Sequence, residues 1–407
     1  MIIIKQAFLL LISILATILV SSCSSGDNSS DVSIGAKIIG IDPNSQRNGK
    51  ILLSDIIDSI TYIPLETNEN FMLGTIRKNF ICSENYILFD NTDYKKYLFS
   101  RSGKYIAQIG NVGAGPGEYL YYGTHKAHID EKNSQVIIVT SYPRRSMYYD
   151  FNGKFLKSIP LPFENLIGDI EYYNSNIYNF YLVKESNMGK VPYTYTVLDT
   201  AFNIITQKIK PVQFSRKLES FGVSAIPLFS QYMYNNQVHI MENMLNDTLY
   251  MVNDDFTFVP KYIFNSGKYG VTADIRGDNG IRFLQKSNDC VMLYSMFETD
   301  DNLFILYEYQ GKSIPICFNK KENKVVRITA SSSGIPNDYD GGLDFWPQYQ
   351  NNKQLIAFYD AHKLIEHKKN ANKYNLKGSE ESLFRFDKMV SNLESDDNPV
   401  IVIVKLK

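Results

Sequence analysis

The chain of 407 residues is short of the side chains that carry most protein chemistry. It holds five histidines, four cysteines and one tryptophan. Cys23 stands apart near the N-terminus, which leaves Cys82, Cys290 and Cys317, an odd number too small for a disulfide framework. Those three are expected to be buried thiols that pack as small hydrophobes. Gly-x-Ser-x-Gly, His-Glu-x-x-His and Gly-x-x-x-x-Gly-Lys-Ser/Thr patterns are missing, so the usual marks of a serine hydrolase, a zinc protease and a phosphate loop are missing too. Charge of one sign is also lacking. Lys and Arg number 42 against 43 Asp and Glu, for a net charge of -1, and no stretch concentrates the basic residues, so nucleic acid is not an expected partner.

Long apolar runs are confined to Ala7–Val20, behind Lys5. That run is shorter than the roughly 20 residues a spanning helix needs, and it stops at Val20-Ser21-Ser22-Cys23. It reads as a secretory signal over residues 1–22 and resembles a bacterial lipobox, which implies acylation of Cys23. Ser24, not Asp, follows, which in Gram-negative lipoproteins implies the outer membrane, on its periplasmic or cell-surface side. Residues 23–35 are mostly Ser, Gly, Asp and Asn and are expected to form a flexible tether. The folded body starts near Ala36 and runs for about 370 residues, long enough for a large core.

What is plentiful is aromatic: 29 tyrosines and 24 phenylalanines, residues that strands favour. Around Leu98-Phe-Ser-Arg-Ser-Gly-Lys-Tyr-Ile-Ala-Gln-Ile-Gly110 two short apolar strands flank a Ser-Gly turn, and glycines 110, 113, 115 and 117 with Pro116 then break regular structure. The pattern recurs 50 residues on: Tyr86, Ile87 and Phe89 fall on Val136, Ile137 and Val139, and Gly103-Lys104 falls on Gly153-Lys154. A period of roughly 40 to 50 residues carrying several strands marks a propeller blade, which cannot bury both faces alone. Strands are expected at 86–90, 96–100, 104–109, 135–140, 147–151, 155–159, 176–183, 193–199, 203–210, 237–241, 248–252, 258–263, 291–298, 303–309, 313–319, 324–329 and 354–359. Five units start near Tyr86, Val136, Ile177, Val238 and Leu303.

The C-terminus departs from this rhythm. Asp360–Lys369 and Ser379–Glu394 read as helices, the second with Ser379 as N-cap and an apolar face of Leu383, Phe386, Met389, Val390 and Leu393. Val400–Leu406 is a final strand, expected to share a blade with the N-terminal strands so that no edge is left open. Leu98–Tyr119 resembles an NHL-type repeat. With Tyr62-Ile-Pro-Leu-Glu-Thr67, Gly115-Pro-Gly-Glu-Tyr119, Phe345-Trp-Pro-Gln-Tyr349 and Asp397-Asn-Pro-Val-Ile401, the mature chain resembles the six-bladed β-propeller lipoproteins of Bacteroidetes. The resemblance implies an all-β, six-bladed propeller over 36–407 with a helical insertion at about 360–394. It implies no agreed activity.

The candidate chemistry is sparse. His125-x-x-His128 has the spacing of a metal pair only on a helix, and no third ligand follows; hydrogen-bonded loop histidines are the expectation. His362 and His367 are expected on a solvated helix face. Asp338, Asp340 and Asp344 around Gly341-Gly342 form the oxygen cluster that calcium accepts, without EF-hand spacing, so calcium is the alternative to no cofactor at all. Gly113-x-Gly115-x-Gly117 lacks the following helix of a nucleotide loop. Tyr121, Tyr122, His125, Arg144, Arg145, Trp346 and Tyr349 lie in or beside links between strands and join aromatic platforms to cationic donors, a set suited to ligand binding. Two functions follow. One is a tethered binding or scaffold module for a glycan, a peptide or a partner protein. The alternative is a metal-dependent lyase or hydrolase with its site at the channel mouth.

Overall fold

The computed structural model describes residues 35–68, 73, 76–120, 125–161, 167–174, 179–185, 193–209, 230–241, 247–272, 274–275, 280–329, 334–370 and 376–407. The body from Lys37 to Lys407 is one compact unit. It is mostly β, in consecutive antiparallel meanders. Meander I comprises Ile76–Cys82, Tyr86–Asn91, Lys96–Ser100 and Tyr105–Gln108. Meander II comprises His125–Asp130, Gln135–Ser141, Arg144–Asp150 and Phe155–Pro160. Meander III comprises Ile167–Asn174, Asn179–Glu185, Tyr193–Leu198 and Ile204–Ile209. Meander IV comprises Ser230–Tyr234, Gln237–Met241, Thr248–Val252 and Phe258–Asn265, and meander V Met292–Glu298, Asn302–Tyr309, Lys312–Asn319 and Lys324–Ile328. Meander VI sets Tyr349–Asn351, Gln354–Tyr359 and Val400–Leu406 beside Ile57–Pro64. Meanders IV and VI are joined by one parallel bridge, Met233 with Asn351.

Each meander packs face to face on the next. Leu88, Leu98, Val136 and Ile138 share one cluster between I and II; Val139 and Leu198 share one between II and III; Val197 and Ile240 one between III and IV. Leu249 with Leu303, Phe304 with Leu355, and Ile356 with Phe89 share further clusters. The second strands of meanders I, II, IV and V therefore bury both of their faces. Hence Leu303, Phe304, Ile305 and Tyr307 form a nearly unbroken apolar run with no exposed surface. Full burial of such a side chain contributes about 1.5–3 kcal/mol. This stacking of small twisted sheets makes the fold propeller-like.

The five units traced in the sequence begin on second strands. The first strands of meanders I to IV fall outside them, because Ile-Arg-Lys-Asn-Phe-Ile-Cys and His-Lys-Ala-His-Ile-Asp mix charge with apolar residues and carry little periodic signal. Val400–Leu406 pairs antiparallel with Ile57–Pro64, as expected. The other N-terminal strands do not join it: Lys37–Gly40 lies parallel on Phe258–Asn265, and Asn48–Gly49 lies parallel on Lys324–Ile328. Both helices of the insertion are present, Ala361–Asn370 and Glu380–Ser391, the latter capped by the Ser379 hydroxyl accepting from the Ser382 amide. Helix Gly280–Ser287 was not expected. Cys82, Cys290 and Cys317 are buried and in no disulfide, and burial pushes the Cys82 thiol up to about 11 and Cys317 to about 12.

The repeated turn has a packing role. Gly103 and Gly153 adopt φ of +86° and +81°, and a Cβ on either would lie 2.2 Å from the Pro64 carbonyl oxygen or 2.0 Å from that of Gln108. Each glycine thus abuts the outer strand of the preceding meander. Gly153→Ala is expected to cost about 2 kcal/mol or more, from the left-handed backbone plus displacement of that carbonyl, read as a lower denaturant midpoint. An unchanged midpoint would show that the turn relaxes freely.

Candidate functional site

In an antiparallel meander the first-to-second and third-to-fourth turns lie at one end, the lower one here, and the second-to-third turn lies at the upper end. At the lower end, meanders IV, V and VI are stitched together by amides. The Gln350 side chain accepts from the Glu298 amide at 2.8 Å and donates to the Glu298 carbonyl at 2.7 Å. Asn352 and Asn236 exchange two bonds, with Asn236 N donating at 2.7 Å and Asn352 Nδ2 at 2.9 Å.

Glu298, the last residue of its strand, has no exposed surface, and its carboxylate is held by four donors. Tyr262 Oη and Lys320 Nζ reach Oε1 at 3.1 and 2.6 Å; Tyr232 Oη and Lys261 Nζ reach Oε2 at 3.0 Å each. Burial raises the acid, but the Lys261 and Lys320 ammonium groups outweigh it and hold it below the ordinary carboxylate range. His239 stacks on Tyr232 with ring centroids 4.9 Å apart. Its Nδ1 lies 3.1 Å from the Gln237 carbonyl oxygen and its Nε2 lies 2.8 Å from Lys261 Nζ. A ring that donates from Nδ1 and accepts at Nε2 is neutral, and burial, with Lys261 beside it, pushes its pKa down to about 3. Burial lowers the Lys261 pKa as well, against the pull of Glu298.

The partly open margin of this cluster is cationic. Lys261 and Lys320 keep 25% and 19% of their side-chain surface open, and their ammonium groups lie 5.3 and 5.0 Å from the Tyr234 ring centroid. Tyr234 Oη donates to Asp300 at 2.5 Å. Every polar group in the buried part is saturated, so the cluster fixes charge in place; the two lysines are what it offers to solvent, and the Tyr234 ring beside them is buried.

Of the residues singled out in the sequence, Arg144, Arg145, Trp346 and Tyr349 sit at the upper ends. Arg144 and Arg145 open the third strand of meander II, and Arg145 Nη2 donates to the Glu118 carbonyl at 2.8 Å. Trp346 precedes meander VI, donates from Nε1 to Ser295 Oγ at 2.7 Å and meets Phe297 edge-on at 5.2 Å; Tyr349 packs beside Ile356 and Ile403. These pairs belong to different meanders. Tyr121 and Tyr122 lie outside the described residues, as does the His125 side chain. His128 lies against Tyr172 at 3.4 Å between ring centroids, and burial pushes it to about 3.

The aspartate cluster is divided among local tasks. Asp338 accepts from the Ser54 amide and hydroxyl at 2.9 and 2.7 Å. Asp340, buried, accepts from Asn337, Gly342 and Tyr62, and burial raises its pKa above the usual value. Among the described residues no group of three His, Cys, Asp or Glu side chains is placed to hold a metal. His367 is not on a solvated face: its Nε2 lies 3.0 Å from the Gly341 carbonyl oxygen. His362 is exposed.

Sequence reasoning missed the Glu298 cluster. A glutamate ending an apolar strand before Thr-Asp-Asp looks like an ordinary solvated strand end, and its partners at 232, 239, 261 and 262 lie in another meander. The only hint was Lys261, set amid Val259, Tyr262, Ile263 and Phe264 in a strand otherwise read as apolar.

No curated protein matches this sequence. Among solved structures, a Bacteroides fragilis protein described as exported superposes with a TM-score of 0.64 at 19% identity, covering 91% of this chain and all of that one, which is a likeness of fold. A member of the DUF4221 family from Bacteroides vulgatus gives 0.46 at 11% identity over 86% of this chain and 97% of that one. No helix among the described residues is long and apolar enough to cross a membrane. The family profile for a domain of unknown function, DUF4934, matches residues 36–405, and the chain belongs to that family.

Proposed function

We propose that this chain is an exported, lipid-anchored binding module, a six-bladed propeller closed by Ile57–Pro64 and Val400–Leu406, that takes an acidic ligand. The observation that carries the ligand class is the pair of partly open Lys261 and Lys320 ammonium groups, set beside the buried Tyr234 ring and both held by buried Glu298. Two fixed cations suit a uronic-acid sugar or an acidic peptide by charge. The cluster has the character of a binding site more than a catalytic one, since His239 is neutral and Glu298 is saturated by donors. Closure is supported by the shared cluster of Ile356 and Ile401 with Ile87 and Phe89, which brings the last meander against the first. Acylation at Cys23 and an outer-membrane address rest on the lipobox-like Val-Ser-Ser-Cys and on the likeness to an exported protein. Arg144, Arg145, Trp346 and Tyr349 would offer a second contact area at the upper ends, and Tyr121, Tyr122 and His125 belong to the same proposed ligand-binding set.

The test is a thermal-shift series with acidic and neutral oligosaccharides, acidic and neutral peptides, and EDTA. Ligand linkage raises the melting point as free ligand exceeds Kd. Stabilisation by an acidic pool, weakened by salt and lost in Tyr234→Leu, is the expected result, and the responding pool distinguishes sugar from peptide. A melting point that falls in EDTA and recovers with one metal would replace this reading by the metal-dependent enzyme.

A further inference from the structure

The cationic margin at the lower end has an acid set into it. Thr299-Asp300-Asp301 is the turn that joins the first two strands of meander V, directly after Glu298. Lys320 Nζ, besides holding Glu298, donates to the Thr299 carbonyl at 2.5 Å. Asp300 thus stands next in the chain to a residue that holds Lys320. Its Oδ1 accepts from Tyr234 Oη at 2.5 Å, and the Lys320 and Lys261 ammonium groups lie 5.0 and 5.3 Å from the centroid of that same ring. One buried ring therefore gathers two cations and a carboxylate around it. The Asp300 side chain keeps 64% of its surface open, far more than either lysine, and its Oδ2 lies 3.8 Å from Lys353 Nζ, too far for a hydrogen bond.

Neutral amides continue this surface. Asn236, exposed two residues after Tyr234, accepts from Asn352, which precedes Lys353. The mixture bears on what can be bound. A run of acidic residues would bring several carboxylates to a place where an open carboxylate already stands beside the cations, and like charges brought together cost affinity. A sugar ring with a single acid differs. It offers one carboxylate to the lysines, and its hydroxyl groups are donors that Asp300 and the asparagine side chains can accept.

Resting on the acidic-ligand reading of this same site, we propose that Asp300 is its specificity-determining residue and that the ligand is a glycan bearing a uronic acid, not an acidic peptide. Lys261 and Lys320 take the acid, and Asp300 takes hydroxyl groups of the sugar while repelling a second acid. Selection then comes from a repulsive element as much as from an attractive one.

The test is calorimetric titration of the full chain with an oligosaccharide ending in one glucuronic acid and with a hexaglutamate peptide. The expected result is binding of the sugar that is tighter by roughly tenfold or more. Asp300→Asn should weaken the sugar and strengthen the peptide by roughly tenfold, reversing the preference, and Asp300→Glu, which keeps the charge, should keep it. The position is open to solvent, so both variants should hold their melting points. A merely structural role for Asp300 would weaken both ligands alike and would overturn the proposal. Peptide binding as tight as the sugar in the parent chain would also overturn it, yet leave the acidic-ligand reading standing. Failure of both probes to bind, in the parent chain and in Asp300→Asn, would remove that reading and this inference with it.

Discussion

Taking the protein from pH 7 to pH 4 is expected to cost about 3 kcal/mol for buried His239 and less for His128, which keeps part of its surface open. Both have folded pKa values of about 3 against an ordinary 6.5, in each case chiefly through burial. The unfolded chain therefore binds more protons than the folded one between those values, and stability falls as pH drops from about 6.5 toward 3. Below 3 both states are protonated and the loss stops. Glu298 acts in the same sense at the acid limit: its folded pKa is depressed, so its contribution is complete above the ordinary carboxylate range and is lost as pH falls through the folded value. Urea unfolding at pH 7, 5.5 and 4 measures the total, and NMR of the His239 ring should show no titration down to about pH 4. A midpoint unchanged across that range would mean that neither ring is buried in its neutral form.

Glu298→Gln is expected to lower stability by about 3 kcal/mol, the scale for removing one member of a buried ionic group. The substitution keeps the shape but leaves Lys261 and Lys320, now 3.0 and 2.6 Å from carboxylate oxygens, facing a neutral amide. Both lysines retain some exposure and can turn toward water, which keeps the cost below that of a wholly buried pair. The comparison is Asp301→Asn, which breaks an ion pair whose partners are 79% and 53% exposed and should change stability by no more than about 0.5 kcal/mol. Matching denaturant midpoints for the two variants would reduce the Glu298 cluster to a surface-like ion pair. Ligand stabilisation should also vanish in Glu298→Gln, because the lysines lose their fixed places beside Tyr234.

Much of the architecture was legible along the chain because it is written in near neighbours. In meanders I, II and V the second and third strands are joined by short turns and are largely buried, so Tyr86–Asn91, Gln135–Ser141 and Asn302–Tyr309 appear as apolar runs bounded by turn residues. The pairing of Val400–Leu406 with Ile57–Pro64 was anticipated for a different reason, since an unpaired apolar strand at the end of the chain needs a partner. The partner of Lys37–Gly40 was not, because a parallel strand added to an outer edge carries no local signal of which edge it takes.

Local chemistry by itself determined the signal-like N-terminus, the repeat, the turn glycines at 103 and 153, the capped helix at Glu380–Ser391 and the thiols outside any disulfide. Tertiary structure alone decided which polar residues meet. Glu298 collects Tyr232, Lys261, Tyr262 and Lys320 from two meanders, whereas Asp338 and Asp340, one residue apart in the chain and suggestive of calcium, are drawn into separate hydrogen bonds. The reason is that periodicity reports what each strand buries, while a charge becomes a site only when burial removes its water and distant donors replace it.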